Sequence, residues 1–126
     1  MKSRDELVKN IASDIINDRN FSKLEWDSIS VAIRFEPPSI WEGAIAYIGE
    51  DYVTEHPSGF DLSYRMVALR DLMKEEDGKE WLTCLIRISA LTQEIDIEFE
   101  YEDVRRWYLT PTMDPTELRA YAVSIK

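Results

Sequence analysis

Residues 81–103 read WLTCLIRISALTQEIDIEFEYED, and apolar side chains occupy every second position in much of both halves. Successive side chains of an extended chain point to opposite faces, so this period of two predicts strands over about 81–90 and 94–103. The connection between them is short, which favours an antiparallel hairpin, and we take Thr92–Gln93 as its turn. The expected cross-strand pairs are Ile88–Ile97 and Ile86–Phe99 on the buried face and Arg87–Glu98 on the outer face.

The outer face of the second strand is a ladder of carboxylates. Same-face neighbours on a strand lie about 7 Å apart, and two unit charges at that spacing repel by roughly 0.6 kcal/mol even in water. Glu and Asp are also poor strand formers. The ladder therefore predicts a surface that touches something basic, although a merely solvated face is the plainer alternative. The candidate partner-binding carboxylates are Asp96, Glu98, Glu100, Glu102 and Asp103.

Aromatic side chains close to these acids are candidate anchors for a partner. Trp107 and Tyr108 follow the ladder, and Tyr52 adjoins another acidic pair, Glu50–Asp51. Trp and Tyr are enriched among the residues that contribute most to interfaces. Packing in the core is the alternative for each of them. We include Trp107, Tyr108 and Tyr52 in the predicted partner-binding set.

The rest of the chain supplies further strands and the helices. Ser3 and Glu6 form a capping box that opens an amphipathic helix, and Gly78 closes a second one. Pro115 follows an N-cap aspartate and opens a third. The predicted elements are a helix to about 17–20, strands over 29–35 and 40–49, a loop over 50–60, a helix over 62–78, the hairpin, and a helix from Asp114. This order, αββαββα, predicts one α+β domain over 1–126, with an antiparallel sheet of about four strands and helices on one face.

Composition narrows the class of partner. The 126 residues carry 25 acidic and 15 basic side chains, a formal net charge of -10. Nucleic acid and anionic membranes are therefore unlikely partners, whereas a basic protein or a cation fits. Acidity that serves only solubility is the alternative. The chain has no apolar run of membrane-spanning length and no signal-peptide pattern, and its single cysteine fits a reducing cytoplasm.

Catalytic signals are sparse. His56 is the only histidine and is expected in a loop, and Cys84 lies on the apolar side of a strand. No phosphate-binding loop, zinc-protease motif, calcium loop or paired cysteine motif is present. The sequence therefore predicts no catalytic residues, no cofactor and no metal site. A second acidic cluster, Glu75–Asp77, ends a helix where negative charge opposes the helix dipole.

The chain also resembles a known family. The likeness rests on three segments: Leu69-Arg70-Asp71-Leu72-Met73 in a helix, Glu80-Trp81-Leu82-Thr83 opening a strand, and Phe99-Glu100-Tyr101-Glu102-Asp103 ending one. Over roughly residues 5–107 the chain is similar to the YezG-like bacterial immunity proteins and to related immunity proteins of contact-dependent inhibition systems. The resemblance implies a small cytoplasmic protein that binds and blocks the toxic domain of a polymorphic toxin, often a basic nuclease. It implies no catalytic residues and does not place the interface.

These observations together predict an immunity protein that neutralises a cognate basic toxin domain in a one-to-one complex. Carboxylates would raise the rate of encounter, and aromatic anchors would slow dissociation. Two functions of other classes stay open: a small enzyme that uses carboxylates and a metal, and an acidic adaptor or chaperone of a basic secreted protein. The sequence leaves the oligomeric state open.

Overall fold

The structure, a computed structural model, describes residues 3–36, 39–59 and 61–107. The predicted C-terminal helix from Asp114 lies outside these residues. Eight elements follow one another in the described chain. They are α1 (Arg4–Asn17), α2 (Arg19–Ser22), β1 (Ser28–Glu36), β2 (Ser39–Ile48), β3 (Asp51–Glu55), α3 (Asp61–Asp77), β4 (Thr83–Ser89) and β5 (Ile95–Glu100).

The five strands form one antiparallel sheet in the order β3-β2-β1-β4-β5. The α+β class and the antiparallel sheet are confirmed. The prediction of a loop over 50–60 was wrong in its first half, because Asp51–Glu55 is a fifth strand that pairs with the end of β2. The two edges of the sheet are β3 and β5, so the acidic strand has a partner on only one side within the described chain.

Two helices cover one face of the sheet. The hydroxyl of Ser3 accepts a hydrogen bond from the Glu6 backbone N–H, at 3.2 Å, which confirms the predicted helix start. Gly78 follows α3 with a φ of +75°, and its N–H donates to the Lys74 carbonyl at 2.8 Å. The buried side chains of α1 and α3 join those of the central strands in a single core. Its members from α1 and α3 are Leu7, Ile11, Ile15, Leu62, Met66, Leu69 and Met73, and α2 adds Phe21.

The predicted hairpin forms, but its register differs by two residues. Ile88 lies opposite Ile95 and Ile86 opposite Ile97, whereas we expected Ile97 and Phe99. The reason is the turn: the connection spans Ala90–Glu94, and Gln93 adopts a left-handed φ of +57°. Because side chains alternate with a period of two, a shift of two residues leaves every side chain on its expected face.

The face of the sheet away from the helices is also buried at its centre. Ile45 of β2 and Leu85 of β4 are buried there, as are the small polar side chains of Ser30 and Thr83. The Thr83 hydroxyl is satisfied by donating to the Ile33 carbonyl at 2.8 Å. Both faces of β1 and β4 are therefore largely buried. Helices occupy one face, as predicted, but the opposite face is not simply a solvated one.

Candidate functional site

The carboxylates of the acidic strand project from the face opposite the helices. Asp96 lies opposite Arg87 and Glu98 opposite Leu85, on the same side of the sheet. The side chain of Asp96 is 61% exposed and that of Glu98 is 43% exposed. The predicted alternation is thus confirmed, and β5 presents acidic side chains at an edge of the sheet.

Two arginines reduce the charge of this ladder. Arg87 of the neighbouring strand pairs with Asp96 at 2.7 Å and with Glu98 at 3.3 Å. Arg106 approaches from the segment after β5, at 3.8 Å from Glu98 and 3.1 Å from Glu100. The ladder is therefore partly neutralised, by Arg87, which was expected on this face, and by Arg106, which was not predicted to reach it. The sequence of the strand itself contains no basic residue, and both arginines come from other segments.

Glu100 has a structural role in the turn that follows β5. One of its oxygens accepts hydrogen bonds from the backbone N–H groups of Glu102 and Asp103, at 3.0 and 3.2 Å. Its other oxygen accepts one from Arg106. These hydrogen bonds lower the pKa of the Glu100 carboxyl, and the bond from the Glu102 N–H has the largest effect. Asp103 in turn accepts a hydrogen bond from the Arg105 N–H at 3.0 Å.

Glu98→Gln is expected to change the free energy of unfolding by less than about 1 kcal/mol. Exposed ion pairs typically contribute 0.2–1 kcal/mol, and Glu98 holds both of its arginines at a partly exposed position. Glu100→Gln keeps the acceptor oxygen but weakens three hydrogen bonds at once, so it should destabilise the protein more. Urea unfolding of both variants measures the difference. A larger loss for Glu98→Gln than for Glu100→Gln would contradict this ranking.

The predicted anchor Trp107 lies beside the ladder but is buried beneath Arg106, which itself pairs with Glu98 and Glu100. Trp107 is only 6% exposed and stacks under the Arg106 guanidinium, 4.5 Å from the ring centre. With Val104 it lines a cavity of about 610 Å³ whose other walls include Ala32 and Thr83, so the segment after β5 lies over the face opposite the helices. The placement of Trp107 matches core packing better than an exposed anchor.

Of the remaining two anchors, Tyr52 is separated from the ladder. Tyr52 belongs to β3 and pairs with Tyr47, at the opposite edge of the sheet from β5. Four strand spacings of about 4.8 Å separate the two edges, which puts them roughly 19 Å apart. Tyr52 therefore cannot share one small contact patch with Asp96. Tyr108 lies outside the described residues.

The acidic end of α3 is compensated as well. Arg4 of α1 pairs with Asp77 at 3.0 Å and lies 3.6 Å from Glu76. Lys74 pairs with Glu80 at 2.6 Å, and this contact is the main cause of a lowered pKa for the Glu80 carboxyl. The unfavourable position of Glu76 and Asp77 relative to the helix dipole is thus offset by Arg4 from another part of the chain, and the cluster carries no separate site.

A site that the sequence did not predict lies around Glu42. This residue pairs with Ile33 on the helix-covered face of the sheet, where its strand neighbours are apolar. Its carboxylate accepts a hydrogen bond from the Ser63 hydroxyl of α3. Burial, reinforced by nearby Asp18 and opposed by His56, raises the pKa of the Glu42 carboxyl to about 7.

Glu42 borders a cavity of about 450 Å³ at the edge of the helix layer. The described residues that line it are Ile40, Glu42, His56, Pro57, Gly59, Ser63, Tyr64 and Val67. Three of these side chains, those of Ile40, Pro57 and Val67, are apolar, and none of the eight residues is a lysine or arginine. Tyr64, at the start of α3, is 72% exposed. The site therefore combines apolar walls, one partly buried carboxyl group and an exposed aromatic ring.

The loop beside this cavity is held in place by the helices. Asn20 donates to the His56 carbonyl at 2.8 Å, and Asp18 accepts hydrogen bonds from the Ser58 N–H and hydroxyl at 2.8 and 3.1 Å. The His56 ring nitrogen Nδ1 lies 3.1 Å from the Glu42 carbonyl. His56 thus has structural contacts, as a loop histidine was expected to have.

The one cysteine of the chain has the surroundings of a core residue. Cys84 is buried, and desolvation strongly raises the pKa of its thiol, which makes it a poor nucleophile. Within residues 3–36, 39–59 and 61–107, no group of three or more His, Cys, Asp or Glu side chains could hold a metal ion. None of the described helices is long and apolar enough to cross a membrane.

Comparison with known proteins leaves the family undetermined. No protein-family model matches the chain. A comparison with curated protein sequences also finds no relative. The resemblance to immunity proteins therefore stays a prediction.

Proposed function

We propose that this protein is an immunity protein that binds the basic domain of a cognate toxin, one to one, and blocks its activity in the cytoplasm. The observation that carries the proposal is the acidic strand at the sheet edge. Asp96 and Glu98 stay substantially exposed there even though each contacts an arginine. A basic partner can replace water around these carboxylates without first displacing another strand of the described chain.

The charge of the whole chain supports the same kind of partner. Six carboxylates lie between residues 94 and 103, and Arg87 and Arg106 pair with three of them. With a formal net charge of -10, the chain attracts a basic protein from a distance, which raises the rate of association. The resemblance to immunity proteins points to a toxin as that basic protein.

Co-purification with the product of the adjacent reading frame tests this proposal. If that frame encodes a large protein with a basic C-terminal domain, we expect the two to elute as a one-to-one complex and the toxic activity to disappear. Binding that leaves the activity intact would instead indicate an adaptor or chaperone. Metal-dependent turnover by the isolated protein would indicate an enzyme. Either result would contradict the proposal.

The double variant Asp96→Asn/Glu98→Gln should slow association with the toxin about three- to tenfold at low salt. It leaves Glu100 in place because that carboxylate holds the turn. The effect should shrink as salt rises, since the Debye length falls from about 10 Å at 0.1 M to about 3 Å at 1 M. Stopped-flow kinetics at both ionic strengths measures it.

Asp71→Asn/Glu75→Gln is the matched control, because it removes the same charge from exposed positions on α3. Equal slowing by the two double variants would mean that net charge steers the encounter and that the ladder has no special part. A change confined to the dissociation rate would place one ladder carboxylate in direct, desolvated contact with the toxin.

A further inference from the structure

The Glu42 carboxyl occupies a position that the fold would ordinarily give to an apolar side chain. It lies opposite Ile33, which is fully buried, and it shares its side of β2 with Ile40 and Ala44. Burial of a carboxyl group there opposes its ionisation. The Ser63 hydroxyl gives it one hydrogen bond, and an ionised carboxylate can accept several more.

The space in front of this carboxyl has the shape and polarity of a pocket. The walls supplied by Ile40, Pro57 and Val67 are apolar, and Tyr64 stands exposed at its margin. A volume of about 450 Å³ exceeds what a few ordered waters need and suits a long side chain. Such a pocket therefore selects a group that is apolar along most of its length and polar at its tip.

The charges around Glu42 indicate which polar group a ligand in this pocket carries at its end. Asp18 lies close enough to Glu42 for its negative charge to disfavour ionisation of the Glu42 carboxyl. Among the described residues that line the cavity, His56 is the only basic one. A bound cation would relieve the repulsion between the two carboxyl groups. Lysine and arginine combine an aliphatic stem with a cationic head, and the face of a tyrosine ring attracts such a head as well.

We propose that the cavity over Glu42 is the binding pocket for one lysine or arginine side chain of the protein's basic partner. The aliphatic stem would lie against Ile40 and Val67, and the cationic head would reach the Glu42 carboxylate beside the Tyr64 ring. This inference rests on the proposed function for the identity of the occupant. It adds a second contact region to that of the acidic strand. This region lies on the helix-covered face of the sheet, near the β3 edge, whereas the carboxylates of β5 project from the other face.

Nuclear magnetic resonance titration with small probes tests the pocket without the toxin. The probes are Nα-acetyl-arginine methylamide and its neutral counterpart Nα-acetyl-citrulline methylamide, added to the full chain at pH 8. At that pH the Glu42 carboxyl, with a pKa of about 7, is mostly ionised. We expect saturable shifts of the Glu42, Ser63 and Tyr64 amides with the arginine probe and about tenfold weaker binding of the citrulline probe.

Two variants separate the pocket from general attraction by an acidic surface. Glu42→Gln keeps an acceptor for Ser63 and should weaken binding of the arginine probe about tenfold. Glu75→Gln removes an equal charge from an exposed position and should leave it unchanged. Shifts spread evenly over the acidic surface, or equal binding by Glu42→Gln and the unchanged protein, would overturn the inference.

The same variants distinguish this inference from the proposed function. If the toxin binds and Glu42→Gln alters neither its affinity nor the probe response, the pocket is refuted and the immunity function stands. If the probe binds as described but no toxin domain forms a complex, the site is a cation pocket and the proposed occupant is wrong.

Discussion

Trp81→Ala should lower the free energy of unfolding by about 3–5 kcal/mol, the range for removing a large aromatic side chain from a core. Trp81 is completely buried and contacts two other rings, Phe35 at 5.0 Å and Phe99 at 5.5 Å between centroids. Arg70 adds a contact 6.0 Å above the indole and donates to the Trp81 carbonyl at 2.8 Å. The ring therefore joins β1, β5 and α3 at one end of the sheet.

Urea unfolding of the variant, followed by circular dichroism, measures this loss. Folded domains are typically stable by 5–15 kcal/mol, so the change is a large part of the total. Trp41→Ala is the control, since that tryptophan is 55% exposed and should have an effect below about 1 kcal/mol. Similar losses for the two variants would show that Trp81 is not the centre of this part of the core.

Glu42→Gln should stabilise the protein at pH 8 and have little effect at pH 4. The folded-state pKa of about 7 lies above the ordinary value of 4.5. Between these values the folded state holds a proton that the unfolded state has lost, so the stability of the unchanged protein falls as pH rises through this window. The full shift corresponds to about 3 kcal/mol, and partial exposure to solvent reduces the expected gain to roughly 1–2 kcal/mol.

Chemical unfolding at pH 4, 6 and 8 tests this expectation. The difference between the variant and the unchanged protein should be near zero at pH 4 and grow toward pH 8. Glu75→Gln should show no such trend, because Glu75 is exposed on α3. A Glu42→Gln variant that is less stable at pH 8 would mean that the ionised carboxylate is stabilised by a partner.

The sequence was most informative where burial follows a simple period. The faces of β4 and β5 were predicted correctly from their alternation. The pairing was not, because it depends on a five-residue connection in which Gln93 takes a left-handed conformation. That conformation is uncommon for any residue with a side chain and leaves no signal in a propensity argument.

β3 was missed for a related reason. Asp51-Tyr52-Val53-Thr54-Glu55 is an edge strand with mostly exposed side chains, so neither of its faces produces a clear apolar pattern. Two serines of β1 show the opposite relation between sequence pattern and burial. Ser28 and Ser30 are buried on the face away from the helices, whereas serine alternating with isoleucine is typical of a solvated face.

The Glu42 site could not be predicted because its parts are distant in sequence. Ser63 follows Glu42 by 21 residues, and His56 follows it by 14. The strand 40–49 has apolar residues of both parities, so the direction of the Glu42 side chain was undetermined. The charge pattern of the acidic strand, by contrast, was visible at once, and Arg87 was expected beside it. The contribution of Arg106 became apparent only when the segment after β5 was placed.

Asp18 joins the start of α2 to the loop around Ser58, which is 40 residues away in the sequence. Its carboxylate binds Asn20 at the start of α2 and Ser58 in the loop that borders the Glu42 cavity. A fluctuation that lifts α2 from the sheet is therefore expected to break hydrogen bonds of the loop as well. The Ser58 amide should then exchange its hydrogen with solvent at the rate of this joint opening, and a ligand seated in the cavity should slow that exchange while leaving amides of the β4–β5 hairpin unaffected.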